Sequence, residues 1–168
     1  MSPSSRLPFD PIDEARQHWV GHGWSDAATG MAAVTSIMRA QQILLGRIDE
    51  QLRDFDLTFA RYEVLMLLSF SRYGALPLRV IGSRLQVHPT SVTSAVDRLE
   101  AQQYVRRQPH PTDRRTKLAA LTPAGRTIAT EATTRLNATV FADVGLPPAQ
   151  LERLIAVLRE LREHAGDF

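Results

Sequence analysis

LPLRVIGSRLQVHPTSVTSAVDRLEAQQYVRRQPHPTDRRTKLAALT, from Leu76 to Thr122, holds two short helical patterns, a start signal between them and an arginine-loaded ribbon. In the first pattern Leu78, Ile81 and Leu85 recur at helical spacing, leaving Arg79 and Arg84 on the outer side. Gln86 and Val87 make a turn, and Pro89 opens a second helix, because proline is tolerated at the first helical position. Val92, Ala95, Val96 and Leu99 form the inner stripe of that helix, so Thr90, Ser91, Ser94 and Arg98 face outward. Beyond Gln103, Tyr104-Val105 and Lys117-Leu118 read as short strands around a loop from Gln108 to Arg114, whose two prolines argue against a continuous ladder. Thr122 as N-cap and Pro123 at the next position then begin another helix. That order describes a winged helix-turn-helix within a mainly α chain carrying a minor β component.

Charge points the same way. Between Ala75 and Ala120 eight basic residues stand against three acidic ones, a net +5 in a chain whose total is +2. The remainder is therefore −3, and a basic module inside a slightly acidic body is the footprint of phosphate binding.

The run PTSVTSAVDRLEAQQYVRR followed by PTDRRTKLAALTPAGR resembles the DNA-binding core of the MarR family of bacterial transcription regulators. Asp113-x-Arg115 in the wing, with Leu121-Thr122 closing the second strand, is the most specific part of the likeness. Helix order follows the family from about Ser25 onward, and residue-level likeness runs from about Val87 to Arg126. Ser94 and Ala95 stand where members often carry an arginine and a bulkier apolar residue, and Ala119 where a β-branched residue is usual. The resemblance implies a homodimeric, sequence-specific binder of double-stranded DNA at a pseudo-palindromic site, acting as a repressor. Thr90, Ser91 and Ser94 are expected at base edges in the major groove, with His88 also among the DNA-binding residues. Arg84 and Arg98 are expected at phosphates and Arg114 with Arg115 in the flanking minor groove, Asp113 orienting the Arg115 guanidinium, with Lys117 also among the DNA-binding residues. The rival class is a winged-helix protein-interaction module, which has no reason to concentrate Arg114, Arg115 and Lys117 in its wing.

Elsewhere, 168 residues with 43% hydrophobic composition suffice for one domain with a core. Its expected parts are an arm and helix over residues 1–24, long dimerisation helices over about 25–56 and 123–168, and the DNA-reading lobe over about 58–122. No apolar run approaches a membrane span and Met1 to Phe9 lacks the pattern of a signal peptide, so a cytoplasmic protein is expected. The absence of cysteine excludes a disulfide, a thiolate metal site and a thiol redox switch. No cysteine nucleophile or glycine-rich phosphate loop is present, and neither an enzyme nor a bound cofactor is expected. His18, His22 and Glu14 have metal-ligand spacing on a short helix, but Gly21 and Gly23 spoil it, so no metal site is assigned.

Ser25 reads as N-cap of a helix reaching about Phe55, with Met31, Val34, Met38, Leu45, Ile48 and Leu52 on one stripe. Leu151, Leu154, Ile155, Leu158 and Leu161 form another near the C-terminus. Both are wider than one protomer can cover, which argues for a dimer. Between them, Thr58 to Tyr73 is apolar almost all round and must be central, with Glu63 as the exception. A carboxylate there needs a partner, Arg39, Arg72 or the Trp19 indole, or a raised pKa. The chain is also similar to the urate-responsive branch of the same family, which usually has aspartate at the position of Glu63. That similarity implies a pocket for a small aromatic or anionic ligand, formed by Trp19, Phe59, Glu63, Met66, Phe70 and Arg72. An internal ion pair at Glu63 is the competing reading.

Overall fold

In the computed structural model, which describes residues 7–113 and 115–168, the chain falls into two units, Met1–Arg47 and Ile48–Phe168. The first holds α1 (Pro11–Gly21) and most of α2 (Ser25–Leu52). Helix α1 starts at Pro11 because Asp10 caps it, its carboxylate accepting the Ile12 N–H at 2.8 Å, and Asp13 and Glu14 complement the positive end of the helix. It stops where His22 turns back on the His18 carbonyl, its backbone N–H donating and its Nδ1 lying 2.7 Å from the same oxygen, and Gly23 takes φ +83°. Helix α2 begins at Ser25 itself rather than after it, and leaves Val34, Ile37, Met38, Ile43 and Leu45 exposed.

The second unit is built around α3 (Phe59–Phe70). The Thr58 hydroxyl caps α3 by accepting the Arg61 N–H, and the Asp49 carboxylate accepts that of Phe59. The helix ends at Phe70, three residues before the expected Tyr73, because Ser71 is extended and its hydroxyl donates to the Leu68 carbonyl. Val64, Leu65 and Leu68 are buried, so α3 is central as its composition demands, but Phe70 at its end is 77% exposed. Packed on α3 are α4 (Leu78–Leu85), α5 (Pro89–Ala101) and α6 (Pro123–Leu136). Ile81, Val92, Val96, Leu99, Ala132 and Leu136 close the core around it.

Three antiparallel strands, β1 (Ala75–Pro77), β2 (Val105–Pro109) and β3 (Lys117–Leu121), pair in the order β1-β3-β2. β1 was not expected from the sequence. β3 is therefore central, and its consecutive buried residues Leu118, Ala119 and Ala120 follow from cover on both faces. The ladder runs further than the prolines implied: Gln108 pairs with Leu118 and Pro109 with Lys117. Proline is tolerated there because it is the last residue of a strand on the sheet edge.

Helix α6 carries threonines whose hydroxyls donate to the carbonyl four residues back: Thr127 to Pro123, Thr130 to Arg126, Thr133 to Ala129 and Thr134 to Thr130. It passes into a π-helical turn, Asn137–Phe141, before α7 (Pro148–His164). No residue of α7 is buried, and Leu154, Ile155, Val157 and Leu161 are all exposed.

The wing meets α6 at one close approach. The Tyr104 carbonyl accepts the Thr122 N–H at 3.0 Å, and a Cβ on buried Gly125 would lie 2.0 Å from that same oxygen. Gly125→Ala should therefore cost about 3 kcal/mol, more than an ordinary overpacking, because backbone rather than a side chain must give. Gly30→Ala, with open space around it on a helix, should leave stability unchanged or slightly raised. Thermal melts of the two variants check the contrast.

Candidate nucleic-acid interface

The outer side of α5 forms one wall of a groove of about 800 Å³. Thr90, Ser91, Ser94, Ala95 and Arg98 line it from α5, Ala60 and Arg61 from the first turn of α3, and Thr58 from its N-cap. The structure thus brings Thr90, Ser91, Ser94 and Arg98 together on one exposed face, because Val92, Val96 and Leu99 turn the opposite face into the core. Gln86 takes the left-handed conformation, φ 54°, that closes the turn between α4 and α5. His88 caps α5, its Nδ1 accepting the Thr90 N–H at 3.3 Å.

Arg61 was missed from sequence. Its guanidinium donates to the Gln102 Oε1 at 3.2 Å, and Gln102 in turn donates to the carbonyl and carboxylate of Asp56. That chain holds a cation at the lip of the groove and engages Asp56, an acid that also lines it. The only local signal was an arginine three residues after a capping threonine.

Across the wing, Arg107 is the second surprise. It does not point outward: its guanidinium bridges Asp97 and Glu100 of α5, and its backbone N–H donates to Glu100 at 2.8 Å. The backbone N–H and the guanidinium of Arg107 hold the Glu100 carboxyl below its usual range. Two of the three acids of the basic module are spent clamping β2 to α5.

The third acid, Asp113, closes the wing turn. Its carboxylate accepts the Thr116 hydroxyl at 2.7 Å and the Arg115 backbone N–H at 2.9 Å, which keep it more acidic than an ordinary aspartate. The expectation that Asp113 orients the Arg115 guanidinium is corrected: it fixes the backbone, and the side chain stays exposed. His110 completes the turn, its Nδ1 accepting from the Thr112 and Asp113 N–H groups. Arg114 lies outside the described residues. Among the described residues, Arg79, Arg84, Arg98, Arg106, Arg115 and Lys117 are exposed and none makes a salt bridge to a carboxylate.

A second groove, of about 460 Å³, lies between α3 and α6 and brings together Phe59, Glu63, Met66 and Phe70 of the expected ligand residues. Arg72 does not line it; its guanidinium stacks 5.2 Å above the Tyr73 ring. Trp19 belongs to the first unit, where it packs edge-on against Trp24 at 5.3 Å. Of the partners considered for Glu63, Arg39 also lies in the first unit and donates to Gln42. Burial raises the Glu63 pKa above its ordinary value, and Glu63 has no hydrogen-bond or ion-pair partner among the described residues.

A sequence profile of the MarR family matches residues 57–117. No curated protein sequence matches the chain. Among solved structures, Sco5413, a MarR family transcriptional regulator from Streptomyces coelicolor, is 48% identical with a TM-score of 0.77, the match covering 83% of this chain and 97% of that one. Sco3205 from the same organism, solved in complex with DNA, is 27% identical with a TM-score of 0.69, covering 79% of this chain and 84% of its own. BpsR of Bordetella bronchiseptica, whose DNA binding is regulated by 6-hydroxynicotinic acid, is 26% identical with a TM-score of 0.69, covering 76% and 90%.

The Arg107 clamp yields a test by pH. Glu100 has a depressed folded pKa, so its contribution is present above the usual glutamate range and is lost as pH falls through it. Arg107→Ala should cost about 1 kcal/mol near neutrality, since the pair is partly screened. Glu100→Gln should melt with a shallower dependence on acid pH than wild type. Parallel slopes for the two proteins would remove the clamp as a stabilising element.

Proposed function

The chain belongs to the MarR family of transcriptional regulators, and on that premise we propose that it acts as a homodimeric repressor that reads a pseudo-palindromic site in double-stranded DNA. The observation carrying this reading is the sorting of charge around α5. Each acid of the basic module is engaged by a neighbour, while six cations and a row of small hydroxyls face outward. In this reading Thr90, Ser91 and Ser94, with His88 at the helix start, meet base edges in the major groove, where all four base pairs differ. Arg84, Arg98 and Lys117 meet phosphates, and Arg61 joins them from the lip of the groove. Arg115, with Arg114, enters the flanking minor groove, where a guanidinium senses width rather than base identity.

Residues 58–122 are the reading lobe and the helices over 25–56 and 123–168 the dimerisation elements. The exposed apolar residues of α2 and α7 support that assignment, since surface of this kind on a lone chain calls for a partner. Melting temperature should accordingly rise with protein concentration, as it does when a folded state is held by association.

Release from DNA by a small molecule at the α3–α6 groove completes the reading. Regulation rather than catalysis is the role assigned, and the cytoplasm, where the DNA is, is the place assigned. Among the described residues no helix is long and apolar enough to cross a membrane.

Arg115→Ala and Ser91→Ala separate the two reading elements. Arg115→Ala should weaken binding to every sequence and lower the salt slope by about one phosphate equivalent per half-site. Ser91→Ala should cost about 1 kcal/mol, relax preference at one base pair per half-site and leave the salt slope unchanged. Salt titrations on specific and random DNA measure both. An Arg115→Ala protein with the wild-type slope on both DNAs would turn the wing into a protein-contact element.

A further inference from the structure

We propose that the groove between α3 and α6 receives a lipophilic cation, such as an aromatic amine or a quaternary ammonium compound, rather than a carboxylate. The proposal rests on the reading that a small molecule controls DNA release, and it assigns the chemical class of that molecule.

The rings of Phe59, Tyr62, Phe70 and Phe141 contribute to the groove walls, and Phe59 and Tyr62 are stacked with centroids 6.2 Å apart. Among the described residues, Glu63 is the only charged one lining it. Aromatic faces carry negative quadrupole potential and attract a cation, more strongly as the site is desolvated. A carboxylate beside them attracts it further, whereas a ligand carboxylate would lose hydration, meet no cation and face Glu63 as a like charge.

Neighbouring guanidinium groups do not reverse this. Arg135, on α6, pairs with Asp54 at 3.3 Å and lies over the Phe55 ring, and Arg72 lies over Tyr73. Burial without a partner leaves the Glu63 carboxylate short of the positive charge that a ligand would bring. The space, about 460 Å³, is of the size that holds a one- or two-ring compound. Occupancy is also placed to be felt at the DNA face, because the same helix α3 carries Arg61, two residues before Glu63, on the groove beside α5.

The test is calorimetric titration of the full chain with benzyltrimethylammonium, its neutral isostere neopentylbenzene, and benzoate. The cation should bind at least about tenfold more tightly than the isostere, with benzoate weakest. Glu63→Gln should erase the advantage of the cation over the isostere, Glu63→Asp should keep it, and Met66→Trp, which fills the groove, should abolish binding of both. Benzoate binding as tightly as the cation, or cation affinity unaltered in Glu63→Gln, would overturn the charge class. The ligand-pocket reading survives that result if Met66→Trp still blocks. If none of the three compounds binds wild type, the proposal falls, and a shift of Phe141→Ser toward monomer in sedimentation then assigns the groove to a second copy of the chain. Should Glu63→Gln fail to fold, the ranking of the three compounds on wild type decides alone.

Discussion

Helix α3 cannot exist at a surface, and most of the second unit follows from that constraint. Fully burying one leucine is worth about 1.5–3 kcal/mol, and Leu65 and Leu68 are both completely shielded alongside Val64. To shield them, α4, α5, α6 and β3 all pack against this one helix. The side left over carries Met66, Phe70 and Glu63, so the groove proposed to take a small molecule is the uncovered remainder of the same hub. Its first turn contributes Arg61 to the groove beside α5. One element thus borders both candidate sites, a geometry that lets a change at one be felt at the other without a long relay.

Charge in the reading lobe is arranged by subtraction. A tally of basic against acidic residues gives the sign of the surface but not its address. Arg107 adds to the count yet is bound to Asp97 and Glu100, so its guanidinium is not among the outward-facing cations. Asp113 is likewise absorbed into the wing turn. The exposed cations therefore stand apart from these acids, which contribute rigidity to the wing and to its attachment on α5.

The reading lobe was legible because its cues are local. A proline at the start of α5, a capping threonine before α6 and apolar spacing in α4 and α5 each act within a few residues, and these boundaries agree with the structure. What stayed hidden depends on distant pairing. Strand β1 is three residues long, and only its partner β3 makes it a strand. The roles of Arg107 and Arg61 rest on contacts to α5 and Gln102 that no periodicity encodes. At Glu63 the sequence identified a carboxylate out of place among apolar neighbours. It could not say that Arg72 would turn away to Tyr73, which leaves the acid unpaired at the rim of a groove.

The threonines of α6 have a mechanical consequence. When a hydroxyl shares the carbonyl four residues back, the backbone hydrogen bond it joins is weakened and the helix bends at lower cost. α6 repeats that arrangement along its length and then widens into a π turn. It leads from the wing at one end toward α7 at the other. The connection between the wing and α7 is thus an elastic strut rather than a rigid rod, with a stiffness written in the threonine content of a single helix.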